Sequence, residues 1–351
     1  MDKKEIVGKA QTVLGAISPK ELGVTLPHEH LIIDMTSWFI EPSEDTEKTM
    51  AHQPITLNIL WWLHYHFNQN LDDNMLDDEK LAIGEVLRFR NAGGNSIVEL
   101  TPINIARNPL ALASISQATG LNIIMGSGYY TGFSMGAEVA SKSEEEIVEE
   151  IVRDITEGVG NTGVRAGIIG EVGCTWPLTK NEMKSLRAAA RAQQLTGAPL
   201  NIHPGDNEYA PDVIIRIVED AGADISHTVI SHIDRTVRNP ENRSQLAKTG
   251  CYLEYDLFGR EGYFPPQRRF IDLPNDHQRL NEITQLIGEG YLDQILISQD
   301  ICTKQQLCAY GGWGYDHILR DVVPVMRLKG FSDEVIRTIT VDNPKRLLTF
   351  V

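Results

Sequence analysis

Six side chains in this sequence have the types and the spacing of a two-metal hydrolytic centre. They are His28 and His30 in PHEH, Glu171 in IIGEVG, His203 in NIHPG, His232 in ISHID and Asp300 in ISQD. Each lies at or near the end of a short apolar segment that is typical of a β-strand. Imidazoles and carboxylates are common zinc ligands, and a bound metal can lower the pKa of water to about 7. The pattern therefore predicts metal-assisted hydrolysis, provided that the fold brings these strand ends together.

Eight such apolar segments alternate with segments of helical periodicity, which predicts an α/β fold, a (β/α)8 TIM barrel. The predicted strands cover residues 24–27, 96–100, 122–126, 167–172, 199–202, 228–231, 252–255 and 294–298. Predicted helices include residues 82–91, 184–195 and 211–220. In such a barrel the active site lies at the carboxyl ends of the strands. A doubly wound sheet would also alternate, but it would gather its ligands at one crevice rather than from most strands.

The ends and insertions of the barrel are also visible in the sequence. In TVLGAISPKELGVTLPHEH we predict a strand, a turn at Ser18-Pro19 and a second strand, so that residues 1–23 form an N-terminal β-hairpin extension. Residues 36–72 form an insertion after strand one, and it contains WWLHYHF. We predict that these aromatics pack in a lid or a subunit interface, which leaves a homo-oligomer open. No linker or repeat interrupts the chain, so we expect residues 1–351 to form a single domain.

The charge composition of the chain limits the kinds of partner that it is expected to bind. The 351 residues include 32 basic and 48 acidic residues, for a formal net charge of −16. Such a surface repels nucleic acids and anionic membranes, so we expect a small-molecule substrate and neither of those partners. Four cysteines without a CxxC motif are typical of a reducing compartment. The N-terminal sequence lacks an apolar signal core, and we expect a cytoplasmic protein.

The order HxH, strand-four acid, His, His, Asp resembles that of the amidohydrolase superfamily. Longer segments resemble its phosphotriesterase family, in particular the phosphotriesterase-related branch: LPHEHLIID, VRAGIIGEVGCTWPLT, AAARAQQLTGAPLNIHPG, VISHIDRT, CYLEYDLFG, ILISQDI and DNPKRLL. The resemblance implies two divalent metal ions, usually zinc, with manganese as the alternative, and a bridging hydroxide as the nucleophile. It implies that one ion is held by His28, His30 and Asp300. The other ion is held by His203 and His232, a strand-four carboxylate bridges the two, and Asp300 is the catalytic proton carrier.

Strand four departs from the best-known members of that family. Those members use a carboxylated lysine in a segment like RAGIIK, whereas this chain has RAGII, then Gly170, then Glu171. The glutamate is shorter, but it starts one residue, or about 3.3 Å, nearer the strand end. A regular pleat would turn it to the opposite face, so we predict that Gly170 and Gly173 permit a bulge or a twist that redirects it. Whether Glu171 contacts both metals or only one is left open.

Five further side chains are predicted to face the substrate, and they are Tyr129, Tyr130, Arg235, Arg260 and Lys304. Arginine binds oxyanions in a bidentate manner. We therefore favour a small anionic amide, ester or lactone, and an N-acyl amino acid in particular. The competing interpretation of Arg235 is an ion pair at the surface.

Three other functions stay open from the sequence. The first is a lactonase or phosphotriesterase, the second a TatD-like metal-dependent nuclease with a similar ligand set, and the third a non-catalytic small-molecule binder. The pI of about 5.1 argues against the nuclease. The presence of all six ligands argues against the binder, because buried charges are costly without a metal.

Overall fold

The computed structural model describes residues 6–264 and 271–351. Eight parallel strands lie side by side in the order in which they follow along the chain. We number them barrel strands one to eight: Thr25–Glu29, Ser96–Glu99, Asn122–Ser127, Ile168–Gly173, Leu200–His203, Thr228–Ile230, Tyr252–Tyr255 and Ile295–Ile297. The segments after strands eight and one are joined by hydrogen bonds, since the N–H of His30 donates to the carbonyl of Ile301 at 3.1 Å. This near-closed barrel confirms the predicted fold class.

Helices lie between the strands and surround the barrel. Their bounds are Asp45–Ala51, Leu60–Leu63, Glu79–Asn91, Pro109–Thr119, Ala137–Ser141, Glu144–Thr156, Lys180–Thr196, Ala210–Asp220, Ile233–Thr236, Pro240–Ala247, Asp276–Gly288, Val323–Leu328, Asp333–Arg337 and Asn343–Leu348. The helix Lys180–Thr196 begins with a capping box at Thr179 and ends at Gly197, whose φ of +73° suits glycine. Within the described ranges, no helix combines the length and the apolar character that crossing a membrane requires.

The N-terminal extension is an antiparallel hairpin of Ala10–Thr12 and Gly15–Ile17, which confirms that part of the prediction. Its turn lies at residues 13–14, so the turn predicted at Ser18-Pro19 was wrong. Ser18 instead caps the short 3₁₀ helix Pro19–Glu21 through a capping box. The order serine, proline and, two residues later, glutamate is a signal for the start of a helix. In this segment the signal produces a 3₁₀ helix instead of the predicted turn between two strands. Residues 1–5 of the predicted extension lie outside the described residues.

The insertion after strand one is pinned at its base and has its own apolar cluster. Ile33–Asp34 pairs antiparallel with Met75–Leu76, so the two ends of the insertion are held together. Inside the insertion, Trp62 is fully buried and its ring stacks on His66 at 4.3 Å between centroids. Two aromatics of the WWLHYHF segment therefore pack against each other within the insertion itself.

The hairpin and the barrel share buried surface. Ala10 and Leu22 pack against Val98, Ile124 and Ile168, which come from barrel strands two, three and four. Because the extension covers the amino end of the barrel, its packing supports the proposal that the chain forms one domain.

Candidate metal centre

The side chain of Glu171 lies at the centre of the predicted ligand set. Its Oε1 lies 2.8 Å from Nδ1 of His203 and 2.9 Å from Nε2 of His232. Its Oε2 lies 3.7 Å from Nε2 of His28 and 3.9 Å from Nε2 of His30. One buried carboxylate thus faces the histidines of barrel strand one with one oxygen and those of strands five and six with the other.

Asp300 faces the same two histidines from the segment after strand eight. Its Oδ1 lies 3.3 Å from Nε2 of His30 and 3.7 Å from Nε2 of His28. His28, His30 and Asp300 form one group of converging ligand atoms, and His28, Glu171 and His232 form another. The structure therefore brings all six predicted residues together at the carboxyl end of the barrel.

At His28 the donor atoms fit a divalent metal ion better than they fit one another, whereas Oε1 of Glu171 lies at hydrogen-bonding distance from His203 and His232. Nε2 of His28 is buried without a hydrogen-bond partner among the described residues. Its separations of 3.7 Å from Glu171 and Asp300 are too long for hydrogen bonds. They match two ligand bonds of about 2.0–2.1 Å that meet at one ion. Imidazole nitrogens and carboxylate oxygens are also among the ligands that divalent metals such as zinc take.

A bulge in barrel strand four aims Glu171 at the cluster. Ile169 pairs with Leu200, but Val172 pairs with Ile202, so strand four holds one extra residue between these two pairs. Gly170 occupies the bulge with a φ of +134°, a conformation that other residues rarely adopt. A Cβ at Gly170 would also lie 2.5 Å from the carbonyl oxygen of Asn201. The predicted bulge is confirmed, and only glycine fits it.

Two acidic side chains below the cluster were missed from the sequence. Nδ1 of His28 lies 3.1 Å from Oε2 of Glu254 and 3.1 Å from Oδ2 of Asp256. Oε2 of Glu254 also accepts hydrogen bonds from Asn201 at 2.9 Å and Ser231 at 2.8 Å. Both acids belong to YLEYDL, where residues two apart share one face of a buried strand. That alternation of carboxylates along an apolar strand was the available signal, because ionised groups are rarely buried unpaired.

These neighbours set the protonation of the cluster. Burial by itself raises the pKa of Glu171, but the imidazoles of His28 and His203 hold that pKa well below its usual value. Asp256 behaves in the same way, since burial opposes ionisation but His232 and His28 lower its pKa. Burial lowers the pKa of His232, but the charge of Asp256 and the hydrogen bonds to Asp256 and Glu171 together outweigh burial and raise that pKa to about 9. Glu171 and Asp256 are therefore ionised at neutral pH, as metal binding requires, whereas a metal would bind His232 only after its imidazole loses a proton.

A cavity of about 80 Å³ opens beside the cluster. Tyr130, Arg235 and Arg260 line it together with His30, His203, His232 and Asp300. The Tyr130 hydroxyl lies 3.3 Å from Nδ1 of His203. Three of the five predicted substrate contacts thus lie in the wall of the cavity that contains the cluster.

The two arginines of this cavity differ in their surroundings. Nη1 of Arg235 lies 2.5 Å from a carboxylate oxygen of Asp206 and donates to the carbonyl of Gly205 at 3.0 Å. Arg235 is only 7% exposed and the side chain of Asp206 is 38% exposed, so this ion pair is partly buried rather than the surface pair considered from the sequence. The guanidinium of Arg260 lies over the ring of Phe67, 3.9 Å from its centroid.

Tyr129 and Lys304 differ from the prediction, because neither lines this cavity. The Tyr129 hydroxyl donates to Glu150 at 2.6 Å, on the helical side of the strand. Successive residues at a strand end point to opposite faces, so Tyr130 faces inward and Tyr129 outward. Nζ of Lys304 forms an ion pair of 2.6 Å with Asp72 at the end of the insertion. We therefore remove both from the expected substrate contacts.

The insertion contributes cavity residues that the sequence did not reveal. Trp38, Phe67 and Asn68 line the cavity. The Trp38 ring packs against Tyr130, with 5.8 Å between centroids, and against Phe133 at 5.2 Å. No periodic pattern marks these positions, and the length of the insertion was the one indication of a functional loop.

The sequence model of the phosphotriesterase family matches residues 8–348. The chain belongs to the phosphotriesterase family. A phosphotriesterase-related protein from Nematostella vectensis is 46% identical over 346 residues, which cover 98% of this chain and 99% of the relative. The N-acetyltaurine hydrolase of Homo sapiens is 41% identical over 344 residues, or 98% of each chain. A resiniferatoxin-binding protein from Rhodobacter sphaeroides has a similar structure, with a TM-score of 0.94 and 39% identity over 97% of this chain and 95% of that one.

Family membership identifies this protein as a metal-dependent hydrolase. Members of the phosphotriesterase family use two divalent metal ions, and the converging ligands described above are the candidate residues for them. The assignment favours the hydrolase prediction over the nuclease and the non-catalytic binder.

Proposed function

We propose that this member of the phosphotriesterase family hydrolyses the amide bond of small N-acylated compounds that carry a carboxylate or a sulfonate. N-acetyltaurine and N-acetyl amino acids are the leading candidates. The observation that carries the proposal is the presence of Arg235 and Arg260 in the wall of the cavity that contains the candidate metal ligands. Guanidinium groups bind such oxyanions through charge-assisted hydrogen bonds. Relatives that are N-acetyltaurine hydrolases support the same substrate class.

The size and the walls of the cavity support a small substrate. A volume of about 80 Å³ holds about five to eight water-sized groups, at roughly 10–15 Å³ each. Ile33, Met35 and Ile105 form an apolar part of the wall. A short acyl group fits against this surface, while the anionic end of the substrate contacts an arginine.

We propose zinc as the metal, with manganese as the alternative, because the donors are imidazoles and carboxylates. His28, His30 and Asp300 would hold one ion, His203 and His232 would hold the other, and Glu171 would contact both. Such a pair supplies hydroxide at neutral pH and polarises the carbonyl oxygen of the substrate.

Asp300 and Tyr130 have the positions of the proton-handling groups. The Asp300 side chain is 13% exposed, so it reaches the cavity while it contacts the ligand cluster. There it can accept a proton from the attacking water and deliver that proton to the leaving nitrogen. Burial and the nearby charge of Glu171 raise the pKa of Tyr130 well above its usual value. Its hydroxyl therefore stays protonated and can donate to the carbonyl oxygen of the substrate.

The test compares N-acetyltaurine with N-acetylethanolamine, which has a similar length and no charge. We expect the zinc-loaded protein to hydrolyse the sulfonate with a kcat/KM at least about tenfold higher, since hydrogen bonds to charged groups contribute about 1.5–3 kcal/mol. Chelation should abolish turnover, and zinc should restore it. Equal rates on the two amides, or turnover that survives chelation, would contradict the proposal.

A further inference from the structure

A second cavity lies next to the one beside the candidate metal centre. We call the first the inner cavity and the second the outer cavity. The outer cavity has a volume of about 540 Å³, compared with about 80 Å³ for the inner one. Phe67 and Arg260 line both cavities, so their side chains form the boundary between them.

The backbone at this boundary is anchored by a buried arginine. The carbonyl of Arg260 accepts a hydrogen bond of 2.7 Å from Arg279. Arg279 is fully buried and forms an ion pair of 2.7 Å with Asp234, two residues after His232. The chain at Arg260 is therefore anchored to the barrel, while its guanidinium lies over Phe67 at the junction of the two cavities.

Aromatic side chains form much of the outer wall. The rings of Tyr65, from the insertion, and Tyr263, from the segment after strand seven, lie 5.7 Å apart. Trp313 packs flat on Gly259, where a Cβ would lie 2.6 Å from the indole. The outer cavity therefore offers aromatic faces against which a flat apolar group can stack.

The amide side chains in the same wall are bound within the protein. Nε2 of Gln305 donates to Asp73 at 2.6 Å, and Nε2 of Gln306 donates to the carbonyl of Asp300 at 3.0 Å. Oε1 of Gln306 accepts from the N–H of Cys302 at 2.9 Å. These amides hold the segment after strand eight in place. Among the described residues, the outer cavity therefore offers aromatic faces and the guanidinium of Arg260 to a ligand, with His64 and Glu261 also in its wall.

We propose that the outer cavity binds the side chain of N-acylated aromatic amino acids. The carboxylate and the side chain of such a substrate share one carbon atom. A carboxylate at Arg260 therefore places the acyl amide toward the inner cavity and the aromatic ring in the outer cavity. This inference rests on the proposed function, and it extends the substrate class to amino acids whose side chains are too large for the inner cavity.

The first test compares N-acetyl-L-phenylalanine with N-acetylglycine on the zinc-loaded protein. In the double variant Tyr65→Ala/Tyr263→Ala we expect kcat/KM to fall about tenfold for the phenylalanine substrate, from the loss of two aromatic contacts, and to stay unchanged for the glycine substrate. The two tyrosines are 52% and 37% exposed, so their removal leaves the core intact. The control is Trp61→Ala, an aromatic of the same insertion that is 67% exposed and lines neither cavity.

The second test measures binding without turnover, so that it does not depend on the reaction. Calorimetry with 3-phenylpropionate should show a dissociation constant about tenfold higher in the double variant than in the wild type or Trp61→Ala. Equal binding and equal substrate selectivity in the double variant and the control would overturn the outer subsite. A third outcome separates the two proposals. If the protein does not hydrolyse N-acetyl substrates, but the double variant still binds 3-phenylpropionate about tenfold more weakly than the control, the proposed function is overturned and the outer subsite stays supported.

Discussion

Oδ1 of Asp256 lies 2.8 Å from Nδ1 of His232, and this contact orients the imidazole from the side opposite Glu171. The other carboxylate oxygen of Asp256 lies 3.1 Å from Nδ1 of His28. One carboxylate thus orients a histidine from each of the two ligand groups. Outer contacts of this kind fix the ring orientation and raise the basicity of the coordinating nitrogen.

The first prediction concerns Asp256→Asn, which keeps the shape of the side chain and removes its charge. We expect zinc affinity to fall about 10–100-fold, and activity at limiting zinc to fall with it. Competition with a chelator of known affinity measures the effect. Asp272→Asn, at a carboxylate that is 70% exposed, should leave zinc affinity unchanged. An Asp256→Asn protein that binds zinc like the wild type would contradict this role.

The second prediction concerns Glu171. Glu171→Gln should lower the zinc content and reduce activity by more than the roughly 10–100-fold loss expected of an outer contact, because a neutral amide cannot replace the carboxylate that we propose contacts both ions. Since glutamate already carries its carboxylate, zinc loading of the wild-type apoprotein should proceed equally fast with and without bicarbonate. Metal analysis and the rate at which activity returns test the two statements. A strong dependence on bicarbonate would point to a carboxylated lysine at the metals instead.

The third prediction separates binding of the substrate anion from chemistry. Arg260→Ala should raise KM for N-acetyltaurine about 10–100-fold and change kcat little, since a charge-assisted contact made equally in the ground and transition states is lost. KM for the neutral N-acetylethanolamine should stay unchanged. Arg327→Ala, at an arginine that is 57% exposed, is the matched control. Equal effects on the charged and neutral amides would show that Arg260 does not recognise the anion.

The fourth prediction compares two adjacent tyrosines at the end of strand three: the side chain of Tyr130 faces the cavity, and that of Tyr129 faces the surrounding helices. Tyr130→Phe should lower kcat about 100–1000-fold without loss of zinc, because it removes the hydroxyl proposed to donate to the carbonyl oxygen of the substrate. Tyr129→Phe should leave kcat unchanged and destabilise the fold by about 1–2 kcal/mol, because it removes the bond to Glu150. Steady-state kinetics and denaturant unfolding give both values. A larger effect of Tyr129→Phe on kcat would reverse the assignment.

The fifth prediction concerns the pH dependence of stability through His317. Its Nε2 lies 2.8 Å from Asp276, and its Nδ1 lies 2.8 Å from Asp321. Burial lowers the pKa of His317, but the hydrogen bond and charge of Asp276 prevail and raise it above the usual value. A raised folded-state pKa means that this stabilisation is fully present below about pH 6.5 and is lost as the pH rises through the folded-state pKa.

His317→Gln should therefore destabilise the protein by about 1–2 kcal/mol at pH 6 and by less at pH 9. Urea unfolding at the two pH values measures the difference. His277→Gln, at an exposed histidine, is the control for replacing a surface histidine. A penalty for His317→Gln that is the same at both pH values would contradict the assigned ionisation.

The ligand set could be predicted because it depends on local sequence. His28 and His30 are two residues apart on an extended strand, so both point to one face whatever surrounds them. His203 and His232 each end an apolar segment, and the barrel rule places such ends on one rim. The bulge at Gly170 was also accessible, since glycine tolerates the backbone angles that redirect Glu171.

Which side chains face the substrate depends on contacts between segments that are distant in the chain, so the sequence alone could not predict them. Arg235 is paired with Asp206, which lies in the loop after barrel strand five, and Lys304 is paired with Asp72 of the insertion. No periodicity encodes such pairs, because they arise only when loops from different strands meet above the barrel. The same holds for Trp38 in the cavity wall and for the boundary that Phe67 and Arg260 form between the two cavities, because these contacts also join segments that are distant in the chain.

The sequence by itself determined the barrel, the rim and the six candidate ligands that meet there, because strand alternation and apolar periodicity are local properties of the chain. The tertiary structure decided which face each tyrosine takes, which arginine meets a carboxylate, and that Asp256 supports both ligand groups. Those outcomes depend on loops and neighbouring strands that are far apart in the chain and come together only in the folded protein.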